Sequence, residues 1–297
     1  MNLMRRRIVV SIWVIISILV GVDRLNAQKN CLWQIKTNKG NSYLLGSIHL
    51  LKKEHYPLPA VMEQAFDQTD VLVLEVDMSG EKLATVGVLF FQKGFYQGED
   101  TLQHHLSQKN YKLLAEKLKP LDMDIEGFQK TKPWMVAMIV LNSVLVKLGF
   151  APQYGIDIHF MEKAISGNKE IRELEGAEFQ LNLFETLTPK ETESFLMSTV
   201  LEAGQLGAAI DRTVNAWKTG DLQTLDRLSV ENIKDDSELE TFYYKLLDKR
   251  NIGMAEKIDS YLKEGKKIFV VVGAAHMTGK NGIVNLLKNK GYNINQL

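Results

Sequence analysis

Two copies of a Gly-x-x-His frame, Gly46-Ser47-Ile48-His49 and Gly273-Ala274-Ala275-His276, stand 227 positions apart, and each closes an apolar run. Leu44-Leu45 leads into the first, and Ile268-Phe269-Val270-Val271-Val272 into the second. Runs of this kind read as buried strands, so each histidine is expected just past a strand's carboxyl end, where α/β sheets gather ligands and catalytic groups. Glycine at the strand end permits a sharp turn and leaves room for a substrate to approach. A lone histidine in such a place is ordinarily structural, but two in one frame at opposite ends of the chain point to a shared site.

Two carboxylates occupy comparable places. Glu75 closes Val71-Leu72-Val73-Leu74, and Glu175 follows Ile171-Arg172-Glu173-Leu174. An ionised carboxylate beside a buried strand is costly unless it is paired, hydrogen-bonded or bound to metal. Imidazole and carboxylate together are the donor mixture that holds zinc, manganese, cobalt or iron. A water on such an ion becomes a nucleophile near neutral pH. Without a metal, the same groups serve as general acid and base. Either glutamate alone equally suits a helix start or a loop. Arg250 precedes the helix expected to open at Asn251, where its charge opposes the helix dipole. Helix stability therefore does not account for it, whereas clamping a carboxylate, a substrate carbonyl or a developing oxyanion would.

Other combinations carry less. His104 and His105 are adjacent and would point to different sides of a helix, a poor chelate. His159 lies outside any HExxH frame, Gly273 to Gly282 lacks Walker spacing, and no Gly-x-Ser-x-Gly elbow is present. Cys31, the only cysteine, cannot form an internal disulfide.

The elements that must position these groups follow from periodicity. Residues 32–35 and 42–45 flank a polar segment, 37–41, and read as a hairpin. Pro59 opens a short amphipathic helix with Val61, Met62, Ala65 and Phe66 on one face, and residues 71–76 form a buried strand. Residues 81–150 are expected to be mainly helical, with 134–148 a buried helix shorter than a membrane span. A helix over 156–165 ending at Gly167, a strand over 170–174 and a helix over 177–187 return to α/β order. Further helices are expected within 189–247. The end reads as helix 252–264, strand 267–272, helix 283–290 and strand 292–294, with Asn251 and Asn281 as helix starts. The expected fold is therefore α/β: a central, mostly parallel sheet flanked by helices, with helical insertions.

The amino terminus has the order of a secretory signal: Arg5-Arg6-Arg7, an apolar run over 8–20, then a polar stretch ending at Ala27. Residues 1–27 are expected to leave, giving a periplasmic or secreted protein; if uncleaved, the segment would anchor the chain at a membrane. The whole chain has 36 basic and 36 acidic residues, and removing four arginines and Asp23 leaves 32 and 35, a net charge of −3. No basic excess points to nucleic acid. Residues 28–297 hold no Pro/Gly/Ser-rich linker and suit one compact domain.

Six segments together resemble the TraB/GumN family: Tyr43 to His49, Leu72 to Glu75, Tyr154-Gly155-Ile156-Asp157, Leu174 to Gln180, Arg250 to Ala255 and Val272 to His276. The related Tiki proteins are described as metal-dependent proteases with paired Gly-x-x-His motifs. The wider group includes erythromycin-esterase-like enzymes and haem-associated proteins. The resemblance implies His49, Glu75 and His276 as metal ligands or catalytic groups, with Arg250 and Glu175 in support; Asn251 is read as a helix cap.

The leading expectation is an exported hydrolase that cleaves a peptide or amide by metal-activated water. Zn, Mn or Co would sit at His49, Glu75 and His276, with Glu175 as general base and Arg250 stabilising the oxyanion. One alternative is a metal-independent, esterase-like hydrolase with a histidine base. Another is a noncatalytic peptide- or haem-binding protein that uses residues 134–148 or 83–95 as an apolar surface. Membership of a family does not choose among these reactions.

Overall fold

The computed structural model describes residues 29–231 and 236–297. The expected secretory leader, 1–27, lies outside them. In chain order the elements are β1 (Leu32–Thr37), β2 (Gly40–Ser47), α1 (Ala60–Asp67), β3 (Val71–Leu74), α2 (Glu81–Gly94), α3 (Gln108–Leu118), α4 (Pro133–Lys147), α5 (Ile156–Ser166) and β4 (Glu170–Glu173). There follow α6 (Ala177–Glu185), α7 (Pro189–Glu202), α8 (Leu206–Lys218), α9 (Leu222–Val230), α10 (Ser237–Leu246), α11 (Asp248–Lys263), β5 (Ile268–Gly273), α12 (Ile283–Asn289) and β6 (Asn293–Gln296).

The strands form a mixed sheet in the order β4-β3-β5-β2-β1-β6. The β4-β3, β3-β5 and β5-β2 pairs are parallel, and β2-β1 and β1-β6 are antiparallel. This is the expected α/β fold. β3 is buried at every position and β5 at all but its last, because parallel strands are covered on both faces and so read as continuous apolar runs. The β1-β2 hairpin pairs Thr37 with Gly40. Its shortness fixes the β1-β2 register, and the separate parallel pairing of β2 with β5 brings Gly46 opposite Val272.

The main core surrounds the sheet. A second apolar cluster joins α3, α4 and α7 through Leu114, Val136, Val140 and Leu196. α4 buries eight of its fifteen residues, including Pro133 to Ala137, while Val146 and Leu148 at its carboxyl end are exposed, so most of the apolar stretch read at 134–148 is core. α2 differs: of its residues only Gly94 is buried, and Leu83, Val88 and Phe91 are exposed. Among the described residues, no helix is long and apolar enough to cross a membrane.

Two helix starts differ from expectation. α11 begins at Asp248, so Asn251 lies inside the helix, and the amide of Asn281 donates to Asp248 while Gly282 precedes α12. Asparagine is a common cap, but here each side chain has a tertiary partner, which overrides local preference.

Candidate active site at one end of the sheet

Parallel pairing places the carboxyl ends of β4, β3, β5 and β2 along one edge. Ser47 stands opposite Gly273, Leu74 opposite Val271 and opposite Glu173. The next residues carry the candidate chemistry: His49 beyond β2, His276 beyond β5, Glu75 beyond β3 and Glu175 beyond β4. Pairing continues past the strands, since the amide of Glu175 donates to the Glu75 carbonyl at 3.0 Å. β5 lies between β3 and β2, so Gly273 sits between the glutamate and the first histidine. A methyl group on Gly273 would stand 3.4 Å from Glu75 Oε1, 3.5 Å from His49 Nε2 and 3.5 Å from His276 Cδ2. The two imidazoles expected to converge with a carboxylate do surround one small space.

Each imidazole is held from behind. His49 Nδ1 lies 2.9 Å from Asp157 Oδ2, and Ser47 Oγ donates to the other Asp157 oxygen at 3.1 Å. His276 Nδ1 donates to Asn251 Oδ1 at 2.6 Å. With Nδ1 occupied, the neutral form of each ring leaves the Nε2 lone pair on the side of Glu75, and His276 Nε2 is 4.0 Å from Glu75 Oε1. Asp157 reaches His49 because α5 starts against the strand-end loop. A Cβ on Gly155 would come 2.2 Å from the His49 carbonyl oxygen, so only glycine permits that approach.

The carboxylates are held by Arg250. Its Nη2 donates to Glu75 Oε2 and Glu175 Oε2, both at 2.6 Å, and its Nε donates to Glu175 Oε1 at 3.0 Å. Gln180 Nε2 donates to the same pair at 3.0 and 2.9 Å, and the amide of Gly273 donates to Glu75 Oε1 at 2.7 Å. Side-chain exposures of 10 % for Arg250 and Glu75 and 6 % for Glu175 make this a buried ion triad. Both oxygens of Glu175 accept from Arg250, so it anchors that side chain, whereas Glu75 Oε1 accepts only the Gly273 amide and faces His276 Nε2 at 4.0 Å. Arg250 in turn spends its fork on two carboxylates and not on an open oxyanion position. It lies in the first turn of α11, and its buried partners offset the opposition of the helix dipole.

Charge follows this geometry. Burial pushes the Glu75 carboxyl up, but the charges of His276, His49 and Arg250 and the Gly273 amide outweigh it and hold it down at about 2. The Asp157 carboxylate lifts the His49 imidazole to about 9; this side chain is 57 % exposed, so burial opposes the shift little. Burial pulls the His276 imidazole down to about 4 from its ordinary 6.5. The unfolded chain therefore binds the His276 proton first as the pH falls. Stability contributed by keeping this ring neutral is complete above pH 6.5 and is lost between 6.5 and 4, by up to about 3 kcal/mol. Thermal unfolding followed from pH 7 to pH 4 should show that loss, and a His276→Gln variant should flatten it.

Asp157, Asn251 and Gln180 have site roles that residue-by-residue reading does not assign. All three fall in the motif-bearing segments, which is the one signal that marks them. The remaining four histidines stand apart: His55 Nδ1 lies 2.9 Å from Lys218 Nζ, His104 and His105 pair with Asp100, and His159 pairs with Glu63. Cys31 is buried, and burial pushes its thiol up to about 12, so it is no nucleophile.

The model of the TraB/PrgY/gumN family matches residues 31–296. The chain belongs to the TraB/PrgY/gumN family. Among its relatives are the uncharacterized protein YbaP of Escherichia coli (strain K12), 24% identical over 83% of this chain and 87% of that protein, and YbaP of Shigella flexneri, 24% identical over 84% and 88%. Metalloprotease TIKI1 of Xenopus tropicalis is 23% identical over 89% of this chain and 60% of its own length. No solved structure matches the chain.

The donor types around Gly273 suit a divalent ion. Two Nε2 lone pairs, both set by hydrogen bonds at Nδ1, and one ionised carboxylate oxygen are the donor types that such an ion takes. Their spacing does not yet match: among the described residues, no three His, Cys, Asp or Glu side chains stand close enough together to hold a metal ion.

Proposed function

We propose that this TraB/PrgY/gumN-family chain is a hydrolase that cleaves peptide or amide bonds with a divalent metal held by His49, His276 and Glu75. The observation that carries the reading is the pair of imidazoles fixed through Nδ1 by Asp157 and Asn251, with both Nε2 atoms turned toward a carboxylate around the Gly273 space. The metalloprotease name of distant relatives supports it. A bound ion supplies an acidified water and positive charge for a developing oxyanion.

The chain's own residues supply position. Asp157 and Asn251 fix the two rings, and Arg250 keeps Glu75 ionised and immobile. Glu175 and Gln180 hold Arg250 and the carboxylate in turn. These positioning groups account for Glu175 and Arg250 without a direct part in the reaction. His49 carries a proton at neutral pH in the absence of metal, so uptake of the ion releases it.

Protein purified without chelators should carry metal by elemental analysis, and peptide-library cleavage should cease on chelation and return with added ion. His49→Ala and His276→Ala should each lose both metal and activity, the latter by at least about 100-fold. Asn251→Ala should weaken metal binding by about 10- to 100-fold through loss of ring orientation. Metal and activity both retained in either histidine variant would refute the arrangement.

The His49–Asp157 pair also supports a second reading, in which His49 acts as a general base without metal. Cleavage that survives exhaustive chelation in metal-free protein selects this alternative.

A further inference from the structure

The polar edge of the sheet opens onto a cavity of about 650 Å3. His49, Glu75, Asp157, Gln180 and Arg250 line its near side, and the other fifteen lining residues are apolar. The far walls come from the helices inserted between the strands: Val86 and Phe90 of α2, Met138 of α4, Leu181 and Phe184 of α6, and Phe195 of α7. Its volume is in the range of pockets that enclose a small ligand. No charged group lies among the apolar walls, so a charged substituent entering them would lose its water without gaining a partner. An apolar substituent would gain up to about fourfold in affinity for each methylene buried.

We infer that this cavity is the subsite for a bulky apolar side chain, leucine- or phenylalanine-sized, next to an amide presented to His49 at its polar end. The placement depends on the hydrolase reading for what happens at the amide, but the binding preference does not. The polar groups occupy one end only, so a substrate has one orientation: backbone amide at the sheet edge, side chain among the helices. Met138 sits among the far walls, so a change in its size changes the room available.

Calorimetric titration with the blocked peptides acetyl-Gly-Xaa-Gly-Gly-amide, with Xaa as Ala, Leu, Phe or Lys, tests this directly. Leu and Phe should bind at least about tenfold more tightly than Ala, and Lys no better than Ala. Met138→Phe should narrow the advantage of Phe over Ala to about twofold, and Met138→Ala should widen it. The smaller variant keeps the test usable if the larger one does not fold. Equal affinities across Ala, Leu and Phe, no binding at all, or a preference untouched by both Met138 variants would each overturn the inference. Graded binding that follows Met138 upholds it even if no peptide is cleaved, a result that would remove the hydrolase reading alone.

Discussion

A Gly273→Ala variant should fold as the parent does and lose at least about 100-fold in activity, together with its metal. The backbone there has φ −50, which alanine adopts freely, and the added methyl would make ordinary contacts at 3.4–3.5 Å. Stability should therefore change by no more than about 1 kcal/mol. The methyl would, however, occupy the space ringed by His49, His276 and Glu75. Thermal unfolding and cleavage rate measured on the same preparation separate the two effects. A well-folded variant with parental activity would mean that the chemistry takes place elsewhere.

The second large effect falls on stability. Arg250→Met should cost about 3–5 kcal/mol in denaturant unfolding, because it strands two buried carboxylates that share Gln180. Like charges so placed cannot both stay ionised, so one would take up a proton near neutral pH. Arg250→Lys should recover only part of the loss, since an ammonium cannot reproduce the fork that spans Glu75 and Glu175. A Met variant within about 1 kcal/mol of the parent would show that the triad is not what holds this edge together.

Much of this edge is legible in the sequence. Strand ends at Ser47 and Gly273 follow from apolar runs closed by glycine, and the unfavourable placement of Arg250 at a helix start signals a partner that local structure cannot supply. The hairpin, the amphipathic face of α1 and the helix ended by Gly167 follow from period and turn chemistry. What escapes is pairing across the chain. Nothing near Asp157 marks it for His49, 108 residues away, and Asn251 has the residue type of a cap although its amide oxygen serves His276. Glu175 shows the same limit: its type and position suit a base, and only the three-dimensional arrangement reveals that its oxygens are already taken.

The adjacency of β2 and β5 has a consequence for how the molecule comes into being. A ribosome must deliver nearly the whole polypeptide before His49 can meet His276, so no shorter nascent species holds both rings at this edge. Closing so long a loop delays assembly relative to proteins built from neighbouring segments. The residues of this edge are thus among the last to be brought together.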